Sequence, residues 1–97
     1  MNIFNIYLKK IQDLILKNNN SLKIDSNIDF SGTVVESPPQ EFNFDLSSNI
    51  ALVLAKKTKQ HPNKLAESLK KLILESFNDF SEITIAGPGF INFKFSK

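Results

Sequence analysis

The sequence contains no cysteine, no arginine and only one histidine. The lack of cysteine excludes a disulfide scaffold and a thiolate metal site, and one histidine cannot build a Cys/His metal cluster. No apolar run approaches the roughly 20 residues of a membrane-spanning helix, and the first residues lack the basic-then-apolar order of a signal peptide. We therefore expect a soluble, cytoplasmic protein that has no metal and no membrane partner.

An excess of charge of either sign is also lacking. All 12 basic residues are lysines, and against ten acidic residues they leave a formal net charge of +2. A protein that neutralised many phosphates by itself would be far more basic. Any contact with nucleic acid is therefore expected to be local.

The 97 residues suffice for one domain with a single two-layer core, so residues 1–97 are treated as one unit. Apolar spacing and capping residues predict three helices and four strands. The predicted helices span about 3–17, 48–59 and 61–77, and the predicted strands span 33–36, 42–46, 82–86 and 90–95. We expect an α+β two-layer sandwich in the order α-β-β-α-α-β-β. Its mostly antiparallel four-stranded sheet carries helices on one face, and the first two strands pair as a hairpin.

The last predicted strand separates two kinds of side chain. Ile91, Phe93 and Phe95 alternate with Phe90, Asn92 and Lys94, so the two sets fall on opposite faces. The second set offers an aromatic plane, an amide and a cation. These are the groups that stack on a base, hydrogen-bond its edge and pair with a phosphate. The pattern alone also fits an ordinary exposed aromatic residue, and it leaves both readings open.

No catalytic residue can be assigned. His61 precedes a proline and fits a helix cap or an exposed side chain. Asp45, Ser47 and Ser48 precede a predicted helix and fit its N-terminal cap better than a nucleophile site. The Gly-Pro-Gly segment lies between two strands rather than before a helix, so it is no phosphate loop. The lysines at positions 56, 57, 59, 64, 70 and 71 fit either a solvated helix face or a basic surface.

Three segments resemble a known family. Ala86 to Phe93 reads AGPGFINF and closely resembles the signature that closes the N-terminal additional domain of arginyl-tRNA synthetases. The segment 44–52, FDLSSNIAL, and the Ala-Lys pair that follows are similar to a second family motif. His61-Pro62 with Leu65-Ala66-Glu67 is similar to a family helix that opens on proline. Phe44 departs from the pattern, because the family usually has glycine there, and this puts the backbone conformation of that turn in question.

The resemblance implies a non-catalytic domain that binds the elbow of arginine tRNA. It implies that Phe90 stacks on a D-loop base and that Asn92 reads the edge of that base. We further predict Lys94, Lys56 and Lys57 as phosphate contacts, which is our own inference rather than part of the motif. The HIGH and KMSKS signatures of the catalytic domain are absent. The chain is therefore expected to be the front of a longer arginine-tRNA ligase, whose catalytic domain would bind ATP and arginine, with no cofactor in this segment.

An alternative of a different class remains. The open face of the sheet could instead dock against the remainder of the same polypeptide or against another subunit. Salt separates the two readings, because binding to RNA weakens as salt rises and apolar docking does not.

Overall fold

The structure, a computed structural model, describes residues 2–39 and 43–97 and has the predicted α+β architecture. Three helices are described: α1 (Ile3–Lys17), α2 (Ile50–Thr58) and α3 (Pro62–Ser76). Four strands are described: β1 (Val35–Glu36), β2 (Leu46–Ser48), β3 (Phe80–Ala86) and β4 (Phe90–Phe95). The predicted order and fold class are confirmed.

The local sequence determines where α1 and α3 begin. The side chain of Asn2 caps α1, because its Oδ1 accepts a hydrogen bond from the backbone N–H of Phe4 at 2.9 Å. The apolar stripe of α1 buries Ile11 and Ile15 completely. Pro62 opens α3 at the first helical position, where its missing N–H has no intrahelical partner to lose.

The helix α2 begins two residues later than predicted, because Ser48 belongs to β2. The hydroxyl of Ser48 accepts from the N–H of Ile50 at 3.1 Å and donates to the carbonyl of Val34 at 2.7 Å. The amide of Asn49 does not cap the helix. It accepts from the N–H of Val34 at 2.8 Å and donates to the carbonyl of Gly32 at 3.0 Å. Both side chains therefore tie the segment before β1 to the start of α2.

The sheet has the strand order β1-β2-β4-β3, and each neighbouring pair is antiparallel. The predicted pairing of the first two strands is confirmed, although their turn includes residues outside the described part of the chain. The predicted second strand, 42–46, overlaps β2 only at Leu46 among its described residues, because β2 is Leu46–Ser48. The prediction was wrong for residues 43–45, and Phe42 lies outside the described residues.

Asp45 explains why β2 starts late. Its carboxylate accepts the N–H of Phe95 at 2.8 Å, in place of the backbone carbonyl that a regular ladder would offer. The predicted capping role of Asp45 was therefore also wrong. The ladder between β2 and β4 begins one residue later, where Leu46 lies opposite Phe93.

The two faces of β4 differ as the alternation predicts. On the helix face, Ile91 and Phe93 are completely buried, and the ring of Phe93 lies 4.9 Å from that of Phe80. The opposite face, which we call the open face, carries Phe90 and Asn92. No helix within residues 2–39 and 43–97 combines the length and apolar character needed to cross a membrane.

Candidate nucleic-acid interface

A cleft of about 760 Å³ lies on the open face. It is bounded by strands β1, β2 and β4, by the proline segment that follows β1 and by the Gly-Pro-Gly turn between β3 and β4. The described residues that line it include Glu36, Pro38, Ser47, Pro88, Phe90 and Asn92. The cleft therefore includes two of the five predicted binding residues, Phe90 and Asn92.

A polar row forms the floor of the cleft and continues beyond it. Glu36 lies opposite Ser47, Ser47 lies opposite Asn92, and Asn92 lies opposite Thr84. Directly opposed side chains in antiparallel pairs share a face, and their Cβ atoms lie roughly 4.5–5.5 Å apart. The register thus places a carboxylate, a hydroxyl and an amide in sequence across the cleft.

Phe90 and Asn92 both offer unused binding capacity. Phe90 is 39% exposed, although it lies on a central strand of the sheet. Asn92 is half-buried, and none of the hydrogen bonds between described residues uses its amide. That amide can both donate and accept a hydrogen bond. An aromatic plane beside such an amide suits the stacking and edge recognition of an unpaired base.

The Gly-Pro-Gly turn positions Phe90 by packing on the start of α3. Gly87 and Gly89 have φ of +57° and +115°, which L-residues with side chains rarely adopt. A Cβ on Gly89 would lie 3.0 Å from the Cβ of Pro62. The side-chain amide of Asn63 also donates to the carbonyl of Gly87 at 3.3 Å. The turn is therefore held on α3, which brings together two of the three segments that carry the family resemblance.

The three predicted lysines lie outside the cleft. Lys94 is on the open face of β4, two residues beyond Asn92 and opposite Glu82. Lys94 therefore continues the line of Phe90 and Asn92 along β4 rather than the polar row across the strands. Lys56 and Lys57 belong to α2, in the helix layer, and the structure does not bring them to Phe90. Their predicted role as phosphate contacts stays a prediction.

Lys57 has a visible structural partner. Its Nζ donates to the backbone carbonyl of Asp29 at 2.6 Å and to that of Ser31 at 2.8 Å. The same ammonium lies 3.8 Å from the carboxylate of Asp29. The lysine thus fastens the irregular segment before β1 to α2.

Sequence reasoning did not identify Glu36 and Ser47 as part of the site. Both come into the cleft through strand pairing, and the alternation of one strand contains no information about that pairing. The predicted hairpin was the available signal, since it brings β1 beside β2.

His61 is the exposed residue before α3 and makes no side-chain capping hydrogen bond.

The clearly shifted pKa values among the described residues lie outside the cleft. Burial, together with a 2.6 Å hydrogen bond to Asp79, raises the pKa of Tyr7 to about 12. Hydrogen bonds from the backbone and hydroxyl of Ser31 lower the pKa of Asp29. No group of three or more potential metal ligands comes together in the described part of the chain. The described lining of the cleft offers an aromatic ring, an amide, a hydroxyl and a carboxylate.

Fold and site together define a small α+β domain whose helix-backed antiparallel sheet presents an aromatic residue and an amide in an open cleft. The family model described as "Arginyl tRNA synthetase N terminal domain" matches residues 7–95. The chain belongs to this family, which confirms the resemblance seen in the sequence.

Similar proteins cover almost the whole chain. The chain is 41% identical over 95 residues to the arginine–tRNA ligase of Pelagibacter ubique, with 98% of the chain and 16% of that protein covered. It is 44% identical over 94 residues to the arginine–tRNA ligase of Rickettsia prowazekii, with 96% of the chain and 15% of that protein covered. The chain thus spans less than a fifth of the length of these relatives.

The departure from the family pattern at Phe44 has a simple structural outcome. Among the described residues other than glycine, positive φ occurs at Lys23 and Lys59 and not at Phe44. The backbone at this position therefore does not need the conformational freedom of glycine.

Proposed function

We propose that the chain is the tRNA-binding N-terminal domain of an arginine–tRNA ligase. It holds an unpaired D-loop base at the elbow of arginine tRNA and helps to position that tRNA. In this proposal ATP and arginine bind a catalytic domain elsewhere in the polypeptide, and this domain takes no part in the chemistry. The observation that carries the proposal is the pairing of exposed Phe90 with Asn92 in one cleft.

The dimensions of the cleft support a base as its ligand. Its volume of about 760 Å³ falls within the roughly 300–1,000 Å³ that is typical of small-ligand pockets. The ring of Phe90 forms one wall, and Pro38 and Pro88 add apolar surface around it. The amide of Asn92 lies on the floor. A base that stacks on the ring would bring its polar edge to that amide.

Lys94 supplies a cation along the same strand. Residues two apart on a strand lie on one face and about 7 Å from each other. A nucleotide whose base lies over Phe90 and Asn92 can therefore place a neighbouring phosphate near Lys94. The lysines of α2 are not needed for this arrangement.

The expected affinity is low. Stacking contributes about 1–3 kcal/mol per base, and a good bidentate base contact contributes about as much. Linked to a catalytic domain on the same polypeptide, these contacts would act at a high effective concentration. They would then orient the tRNA, because the second binding event becomes intramolecular.

The test is a titration of arginine tRNA with this chain and with Phe90→Ala at low and moderate salt. We expect Phe90→Ala to weaken binding by roughly tenfold, as the loss of one stack predicts. Phe90→Tyr keeps the aromatic plane and should bind like the parent. Leu74→Ala is the matched control, because Leu74 on α3 is 41% exposed and Phe90 is 39% exposed. It should leave the affinity unchanged.

Two results would reject the proposal. One is equal binding by the parent and Phe90→Ala, and the other is no binding to any tRNA even at the roughly millimolar concentrations that contacts of this strength require. Docking against the rest of the polypeptide or another subunit would then become the leading explanation of the exposed ring. Salt provides an independent check, since each phosphate contact to a single strand lowers log K with log salt by a slope of roughly 0.7.

A further inference from the structure

The cleft contains a charge of the sign opposite to the one that RNA binding would favour. Of the described residues that line it, Glu36 is the one with a formal charge. A carboxylate repels a phosphate, so Glu36 weakens any contact between the cleft and the RNA backbone. In a cleft that binds RNA, this side chain is favourable only where it faces a hydrogen-bond donor.

The strand register places Glu36 on the same face of the sheet as Asn92, so both side chains can reach a base bound in the cleft. Glu36 and Asn92 lie on the same face, two strands apart, with Ser47 between them. Two strand spacings amount to roughly 10 Å, and both side chains line the same cleft. Within the described residues, the side chain of Glu36 takes part in no hydrogen bond or ion pair, and it is exposed. The carboxylate can therefore approach the polar edge of a base held over Phe90.

The side chains of Asn92 and Glu36 differ in the groups on a base edge with which they can form hydrogen bonds. An amide such as that of Asn92 can donate or accept, so it fits either kind of base edge. An ionised carboxylate only accepts. Adenine, cytosine and guanine each carry an exocyclic amino group that donates, whereas uracil has none, and its one ring N–H donor on this edge lies between two carbonyl oxygens. A carbonyl oxygen facing a carboxylate is repelled.

We propose that Glu36 makes the cleft selective for a base with an exocyclic amino group and excludes uracil. This inference rests on the proposed function, because it needs a base in the cleft. Phe90 supplies affinity without regard to base identity, since every base can stack. Glu36 supplies discrimination, because it accepts a charge-assisted hydrogen bond from the amino group.

The experiment uses transcripts of arginine tRNA in which each unpaired adenine, cytosine or guanine of the D-loop is changed, one at a time, to uracil. Their dissociation constants are measured with the parent chain, Glu36→Gln and Glu82→Gln. Glu82 is the matched control. It lies on the same face opposite Lys94 and outside the described lining of the cleft, so Glu82→Gln removes the same charge away from the base, and any effect through Lys94 should be equal for all transcripts. Circular dichroism verifies that each variant is folded.

We expect one uracil substitution to weaken binding of the parent chain by roughly 5- to 150-fold, the range of one good base contact. Glu82→Gln should retain that penalty. Glu36→Gln should lose most of it, because its neutral amide can also donate to a uracil carbonyl. It should also bind the uracil transcript more tightly than the parent chain does.

Other outcomes overturn the inference and separate it from the proposed function. If Phe90→Ala weakens binding but no uracil substitution does, the base is bound without this selectivity. If Glu36→Gln and Glu82→Gln show the same uracil penalty, Glu36 acts only as a surface charge. If Phe90→Ala has no effect on any transcript, the proposed function fails and the role of Glu36 fails with it.

Discussion

Gly89→Ala should destabilise the domain by disrupting the contact between the Gly-Pro-Gly turn and α3. Gly89 is buried and has a φ of +115°. A Cβ there would lie 3.0 Å from the Cβ of Pro62 and 3.4 Å from its backbone carbonyl carbon and oxygen. Carbon atoms prefer separations of about 3.5–4.0 Å. The substitution therefore combines an unfavourable backbone conformation with a steric overlap.

The expected loss in the free energy of unfolding follows from the backbone conformation and the steric overlap. A non-glycine residue in a sparsely populated backbone region costs about 1–3 kcal/mol, and overpacking costs about as much. Partial relaxation makes the sum smaller, so we expect a loss of about 3 kcal/mol in the free energy of unfolding. For a domain of this size that loss lowers the Tm by roughly 12–24 °C.

The assay is urea and thermal unfolding followed by circular dichroism, with Gly87→Ala as the matched control. Gly87 has a φ of +57°, and a Cβ there would have Phe90 Cδ2 as its nearest neighbour, at an ordinary 3.9 Å. The control should therefore show the conformational cost alone, about 1–2 kcal/mol. Equal losses for the two variants would refute the argument, because they would mean that Pro62 does not constrain the turn.

Two further predictions concern contacts outside the cleft. Lys57→Met should lower the Tm by about 5 °C, because the ammonium donates to the carbonyls of Asp29 and Ser31; an unchanged Tm together with weaker tRNA binding would instead assign Lys57 to the RNA. Stability should fall as the pH rises from about 10 to about 12, because unfolded tyrosine ionises near 10 while burial and the Asp79 hydrogen bond raise the pKa of Tyr7 to about 12. The folded state then retains a proton that the unfolded state has lost. Urea unfolding of the parent and Tyr7→Phe at both ends of this range should show the smaller fall in the variant, and equal falls would contradict it.

Local patterns were sufficient where a segment determines its own conformation. The spacing of apolar residues predicted Ile3–Lys17 as a helix, and alternation predicted Phe90–Phe95 as a strand with Phe90 outward. In both cases one face of the element is apolar over its whole length, so burial selects one periodicity. The same reasoning places Asn92 on the open face.

Sequence patterns failed where a hydrogen-bond partner far away in the sequence determines the local structure. The run from Phe42 to Leu46 alternates, yet β2 starts at Leu46 because the carboxylate of Asp45 takes the N–H of Phe95. That hydrogen bond joins residues 50 positions apart. Lys57 illustrates the same limit, since its carbonyl partners lie 26 and 28 residues away. Neither contact leaves a periodic signal in the sequence.

The position of Phe90 depends on both kinds of information. Its outward direction follows from alternation, because Ile91, the next residue, is completely buried on the helix face. The position of its ring relative to the sheet depends on the turn before it, and that turn packs against Pro62 at the start of α3. If the proposed function holds, a substitution at the start of α3 should therefore alter RNA binding without touching the RNA. This coupling is a physical reason for the HP and AGPGF segments to occur together in one chain.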